Sequence, residues 1–181
     1  MSTYRLIREQ IISRPLDEVF AFFADARNLE TLTPPWLQFE ILTPGEIEMR
    51  VGSIIQYALR VHGLPVHWTT AITVWNPPHE FVDVQLRGPY VLWHHGHTFE
   101  SVGNSTRMTD EVNYRLPLGW IGRAMHSLMV RRDLKTIFDY REQTVKQLLE
   151  AAPIAIAFDS ETRFEIAGMQ QRPAYPKRTD V

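Results

Sequence analysis

Two histidines one residue apart, His95 and His97, and two carboxylates, Asp83 and Asp110, are the side chains of this 181-residue chain best suited to proton or ligand chemistry. A histidine titrates near neutral pH, and a carboxylate partner sets its tautomer and raises its basicity. Inside an aromatic cavity, a His–Asp pair offers either a general base or a polar anchor for a bound molecule. His95-Gly96-His97 also presents two imidazoles from one strand face. With Asp83 or Asp110 they would make a two-histidine, one-carboxylate metal set. That spacing is a weak signal by itself, because no third ligand follows from the sequence, so neither a metal nor a cofactor is assigned.

Other chemistries are excluded or poorly supported. The chain has no cysteine, hence no disulfide, no thiolate nucleophile and no cysteine zinc site, which favours a reducing compartment. Ser53, Ser101, Ser105 and Ser127 lie in no glycine-flanked elbow. Gly119-Trp120-Ile121-Gly122 is too short for a phosphate loop and lacks the following lysine. A formal net charge of -2 gives no electrostatic ground for a nucleic-acid partner. The charged, alternating opening is unlike a signal peptide, and no apolar run approaches the roughly 18 residues of a membrane span. The expectation is a cytoplasmic protein without stable membrane insertion. Nothing sets its oligomeric state.

The candidate residues need a scaffold, and hydrophobic periodicity supplies one. Residues 3–12 alternate as a strand. Pro15, Asp17 and Glu18 then suit a first helical turn, with Ser13 as the expected cap, and Asp25 is placed to cap a second short helix before Pro34-Pro35. Six period-two runs follow, at 36–43, 53–62, 65–75, 80–87, 90–102 and 105–116, separated by glycine and proline turns. With no helix between them they imply an antiparallel meander. Residues 119–150 carry the broad apolar stripe of one long helix, ended by Pro153. The fold class is therefore α+β: a curved antiparallel sheet of about seven strands around a long C-terminal helix, with two short helices after the first strand. Residues 1–150 make one domain, and 151–181 form an extension expected to be partly mobile.

Several segments carry a family resemblance. They are Pro15-Leu16-Asp17-Glu18-Val19-Phe20-Ala21-Phe22-Phe23, the stretch Asn28 to Trp36, His62-Gly63-Leu64-Pro65, Trp75-Asn76-Pro77-Pro78, Arg87-Gly88-Pro89-Tyr90 and Trp93 to Phe99. Together with the element order they resemble the START-like (SRPBCC), helix-grip superfamily, which includes polyketide cyclases and dehydratases and lipid- or hormone-binding proteins. The resemblance covers roughly 3–150 and implies a cavity between sheet and helix. It implies no catalytic residue, because the fold hosts binders, carriers and enzymes alike.

Strand parity then assigns the wall. Residues i and i+2 share a face, so Trp93, His95, His97 and Phe99 point one way and His94 the other. Met108, Asp110, Val112 and Tyr114 share the apolar face of the next strand, where Asp110 needs a partner such as His95 or His97. On 65–75 the inward set is Val66, Trp68, Thr70, Ile72 and Val74, with Trp75 outside against Pro77-Pro78. On 80–87 two parities stay open: the valines inward, or Phe81, Asp83, Gln85 and Arg87, the latter slightly preferred. The expected ligand-binding residues are Trp68, Gln85, Trp93, His95, His97, Phe99, Asp110, Val112, Tyr114 and, at the mouth, Arg132. The catalytic candidates are His95, His97 and Asp110. The expected function is binding of a small, largely apolar molecule: aromatic, polyketide-like or lipid-like. The alternatives are a cofactor-independent cyclase, dehydratase or isomerase with a His–Asp base, or a lipid or quinone carrier.

Overall fold

The computed structural model describes residues 2–150 apart from 118, 120, 122, 123 and 125. The expected extension at 151–181 lies outside the described residues. The first strand, β1 (Tyr4–Ile12), leads into two short helices, α1 (Leu16–Ala24) and α2 (Asn28–Leu32). Then come β2 (Glu40–Ile41), β3 (Ile54–Val61), β4 (Leu64–Asn76), β5 (Glu80–Arg87), β6 (Leu92–Val102) and β7 (Ser105–Arg115). A π-helical turn, His126–Val130, runs into the long helix α3 (Arg131–Glu150). The strands form one antiparallel sheet in the order β1-β7-β6-β5-β4-β3-β2. This is the helix-grip arrangement. No helix among the described residues is long and apolar enough to cross a membrane.

The sheet follows from alternation. On β7 every second residue is buried, from Thr106 through Met108, Asp110 and Val112 to Tyr114. The buried side chains meet α3, whose own buried residues are Leu134, Phe138, Thr144 and Val145. Two apolar clusters result. One gathers Ile12, Phe20, Phe23, Phe81, Phe99, Met108 and Val145 under α1. The other gathers Val112, Tyr114, Leu134 and Phe138, with Trp93 and Tyr90 packed against it.

Four local expectations are corrected. The run 36–43 is mostly not a strand: Pro34-Pro35 start a 3₁₀ turn over Pro35–Leu37, and Gln38 takes a left-handed conformation, leaving only Glu40–Ile41 to pair with β3. The helix expected over 119–150 is not regular throughout, because of the π turn before Arg131. Ser13 does not cap α1; its backbone N–H donates to Glu150 Oε1 instead. Finally, a register shift between Ile72 and Val74 reverses parity near the end of β4. Val74 is therefore exposed, while Trp75 pairs in register with Phe81 and packs on Phe20 and Phe81 in the cluster under α1.

Candidate functional site

Between α3 and the sheet lies a cavity of about 860 Å³. Its walls are largely aromatic and aliphatic: Trp68, Tyr57, Trp93, Tyr90, Phe138 and Leu134 line it with Ile55, Ile72 and Val66. Trp68 stacks on Tyr57 and meets Trp93 edge-on, at centroid distances of 5.9 and 5.2 Å. Such packing holds the rings rigid. Burial, and then the negative charge of Asp83, push the Tyr57 phenol well above its ordinary pKa, so it stays neutral.

A buried polar layer is set into this largely apolar wall, and the elements explain how. Along β6 the inward side chains run Trp93, His95, His97, Phe99; along β7 they run Met108, Asp110, Val112. His97 stands opposite Asp110, and Asp83 on β5 stands opposite His95. On α3, Arg141 follows Leu134 and Phe138 on the same face, at helical spacing. Phe81, Phe99, Met108 and Val145 close one side of this layer, and Trp93, Val112 and Phe138 close the other.

Within the layer the carboxylates and imidazoles are paired with one another. Asp110 Oδ1 lies 3.0 Å from His95 Nε2 and 2.8 Å from His97 Nδ1. Asp83 Oδ2 lies 3.0 Å from His97 Nε2 and 3.5 Å from His95 Nδ1. Thr70 donates its hydroxyl to Asp83 Oδ1 at 3.1 Å. Arg141 Nη2 lies 3.4 Å from both Asp110 Oδ1 and His97 Nδ1, and its guanidinium sits over the Phe23 ring.

The electrostatics separate the two histidines. Burial disfavours charge on both. On His97 the hydrogen bonds to Asp110 and Asp83 outweigh it and raise the pKa above the ordinary value. On His95, burial and the neighbouring His97 prevail and lower it. Burial also opposes ionisation of Asp110, but Arg141 and the histidines hold that carboxyl well below its ordinary value. Asp83 is lowered too: hydrogen bonding to His97, then the charges of both histidines, overcome its burial. The lowered carboxyl pKa values and the raised His97 pKa are mutual effects of these neighbours, with Arg141 supplying a positive charge beside Asp110.

The expected residues divide by position. Trp68, Trp93, His95 and His97 line the cavity. Asp110 stands behind the histidines and holds them, without reaching the cavity surface. Phe99 belongs to the cluster under α1, and Val112 and Tyr114 to the other cluster, so these three support the wall from behind. Gln85 is turned away: its side chain brackets the backbone of Tyr90, donating to the carbonyl and accepting from the N–H. Arg132 is exposed on α3. Of the two parities open for β5, the polar one brings Phe81 and Asp83 to the cavity, although Gln85 and Arg87 do not follow.

Arg141 also lines the cavity, and it is not among the expected residues. The signal was present: positions 134, 138, 141 and 145 keep one helical face, and an arginine interrupts an otherwise apolar stripe. Asp83, His95 and His97 are also placed so that one oxygen and two nitrogens lie within 4.8 Å of one another, close enough to share a cation.

Known proteins place this geometry. The family model described as polyketide cyclase / dehydrase and lipid transport matches residues 12–138. Among solved structures, the Zhui aromatase/cyclase from Streptomyces sp. R1128 is similar with a TM-score of 0.63 at 15% identity, covering 84% of this chain and 100% of that one. Major latex-like protein 151 from Panax ginseng gives 0.61 at 14%, covering 81% and 97%. A norcoclaurine synthase point mutant from Thalictrum flavum, in complex with a transition-state analogue, gives 0.59 at 14%, covering 81% and 96%. At such identities these likenesses speak for the fold alone. No curated protein sequence matches significantly. With the fold, the cavity and a family model spanning most of its length in agreement, the chain belongs to the polyketide cyclase / dehydrase and lipid transport family.

Proposed function

We propose that this protein binds a small, largely apolar and aromatic molecule in the sheet–helix cavity, and orients it through Asp83, His95, His97 and Arg141. One observation carries the reading: a buried, mutually paired group of Asp83, His95, His97 and Arg141 opens onto a cavity walled mainly by aromatic and aliphatic side chains. Apolar walls supply affinity, and a few fixed polar groups supply orientation. The about 860 Å³ volume is of the size that accepts a molecule of several fused or linked rings. The matching family model, described as polyketide cyclase / dehydrase and lipid transport, supports a ligand of this kind.

A second reading has its own observation. The environments of His95 and His97 push their pKa values in opposite directions, a pattern that separates a base from an acid. His95, kept neutral and oriented by Asp110, would then take a proton from a carbonyl-bearing ligand and His97 would return one, as in a cyclisation or dehydration.

Native mass spectrometry of the freshly purified protein is the direct test. A retained aromatic molecule, lost in a Trp68→Ala variant, is the expected result. A retained long-chain lipid or quinone would replace this reading with the carrier one. For the second reading, His95→Gln should abolish turnover of that ligand while its binding changes only a few-fold; unchanged turnover would leave binding alone.

A further inference from the structure

We propose that Asp83, His95 and His97 form a site for a divalent first-row transition-metal ion, opening onto the cavity. The inference goes beyond ligand binding and does not depend on which apolar molecule occupies the cavity. Asp83 Oδ2 lies near both His95 Nδ1 and His97 Nε2, and the three residues each bring a ligand atom within 4.8 Å of the others. The two distances from Asp83 Oδ2, 3.0 Å to His97 and 3.5 Å to His95, bracket the spacing between ligand atoms that each sit about 2.1 Å from a shared ion. Two imidazoles and one carboxylate suit zinc or iron(II) better than the oxygen-seeking magnesium or calcium.

Each ligand is also held by its far atom, as metal ligands characteristically are. Asp110 Oδ1 takes His95 Nε2 and His97 Nδ1, turning the remaining nitrogen of each ring toward Asp83. Thr70 holds Asp83 Oδ1, so Oδ2 is the oxygen turned toward both imidazoles. Arg141 contacts Asp110 and the Nδ1 side of His97, not the converging atoms, so its charge steadies the support without filling the site.

Both imidazoles present one nitrogen to Asp83 Oδ2 and the other to Asp110 Oδ1, so a cation on the Asp83 side would take the place of the His97 contact there while Asp110 keeps both rings in position. His95, His97 and Asp83 all line the cavity, so the remaining coordination positions face it and could accept an oxygen of a bound molecule.

The test uses the full chain without a histidine tag, stripped with chelator and titrated with Co2+ and Zn2+. Expected are one ion per chain, a visible Co2+ absorption band and a rise in Tm with Zn2+. Thr70→Val should weaken uptake about tenfold, and Asp83→Ala or His97→Ala by more than a hundredfold. His94→Asn, on the exposed face of β6, should leave it unchanged. Because variants in this layer could fail to fold, the unsubstituted protein supplies an independent readout. Long-range 15N spectra should show Zn2+ shifting His95 Nδ1 and His97 Nε2. Absence of saturable uptake, or Zn2+ shifts confined to other histidines, would overturn the proposal while leaving the cavity reading intact.

Discussion

Asp110 illustrates how much one buried group can organise. It is the common acceptor for both imidazoles and the counter-charge for Arg141. Replacing it with asparagine strands a buried guanidinium, and breaking such pairs costs about 3–5 kcal/mol. Urea unfolding of Asp110→Asn should show that loss. An exposed pair behaves differently. Arg5 and Asn113 hydrogen-bond Glu111 on the surface, and together they hold its carboxyl at about 2, against an ordinary 4.5. A lowered carboxyl pKa favours the folded state at pH above 4.5, and that contribution is lost as pH falls from 4.5 toward 2. An NMR titration should place the Glu111 midpoint near 2, and Arg5→Ala should bring it up toward the ordinary value.

At the scale of elements, period-two alternation made the sheet legible. It placed His95 and His97 inward with Trp93, and left His94 on the outside, because each lies in an uninterrupted stretch of β6. The reading failed where regularity failed. The shift after Ile72 reverses the side on which Trp75 falls, and nothing in the residue types of β4 announces it. The β3–β4 hairpin also reaches across the cavity mouth: His62 meets Asp133 of α3 at 2.8 Å. This pair is largely exposed, so His62→Ala should cost less than about 1 kcal/mol in stability. It should nonetheless speed ligand entry and exit several-fold, measured by stopped-flow tryptophan fluorescence; unchanged rates would mean that the hairpin does not gate the mouth.

Across the whole molecule, a cavity divides labour between wall and support. Phe99 is 1% exposed and meets Phe20, Phe23 and Phe81 in the solid cluster. Phe99→Ala should therefore cost about 3–5 kcal/mol, with ligand affinity changed only through stability. Trp68→Phe, at the wall, should do the reverse: a smaller loss of stability and a clear loss of binding. Thermal unfolding and ligand titration of the two variants separate these roles. Equal effects on both quantities would mean that wall and core are one unit.

Element order, the antiparallel sheet, the inward row of Trp93, His95 and His97, and the need of Asp110 for a partner are legible in the residue pattern alone. Those properties follow from short-range periodicity and from the cost of burying an unpaired carboxylate. Packing of distant segments is what lets Asp110 serve both histidines, brings Asp83 into the layer, and puts Arg141, not Arg132, in the cavity. Only it separated Trp68 and Trp93 at the wall from Phe99, Val112 and Tyr114 behind it. Facing the same way along a strand is a local property. Reaching the cavity depends on which strand and which helix turn lie opposite, and that is settled when distant segments pack.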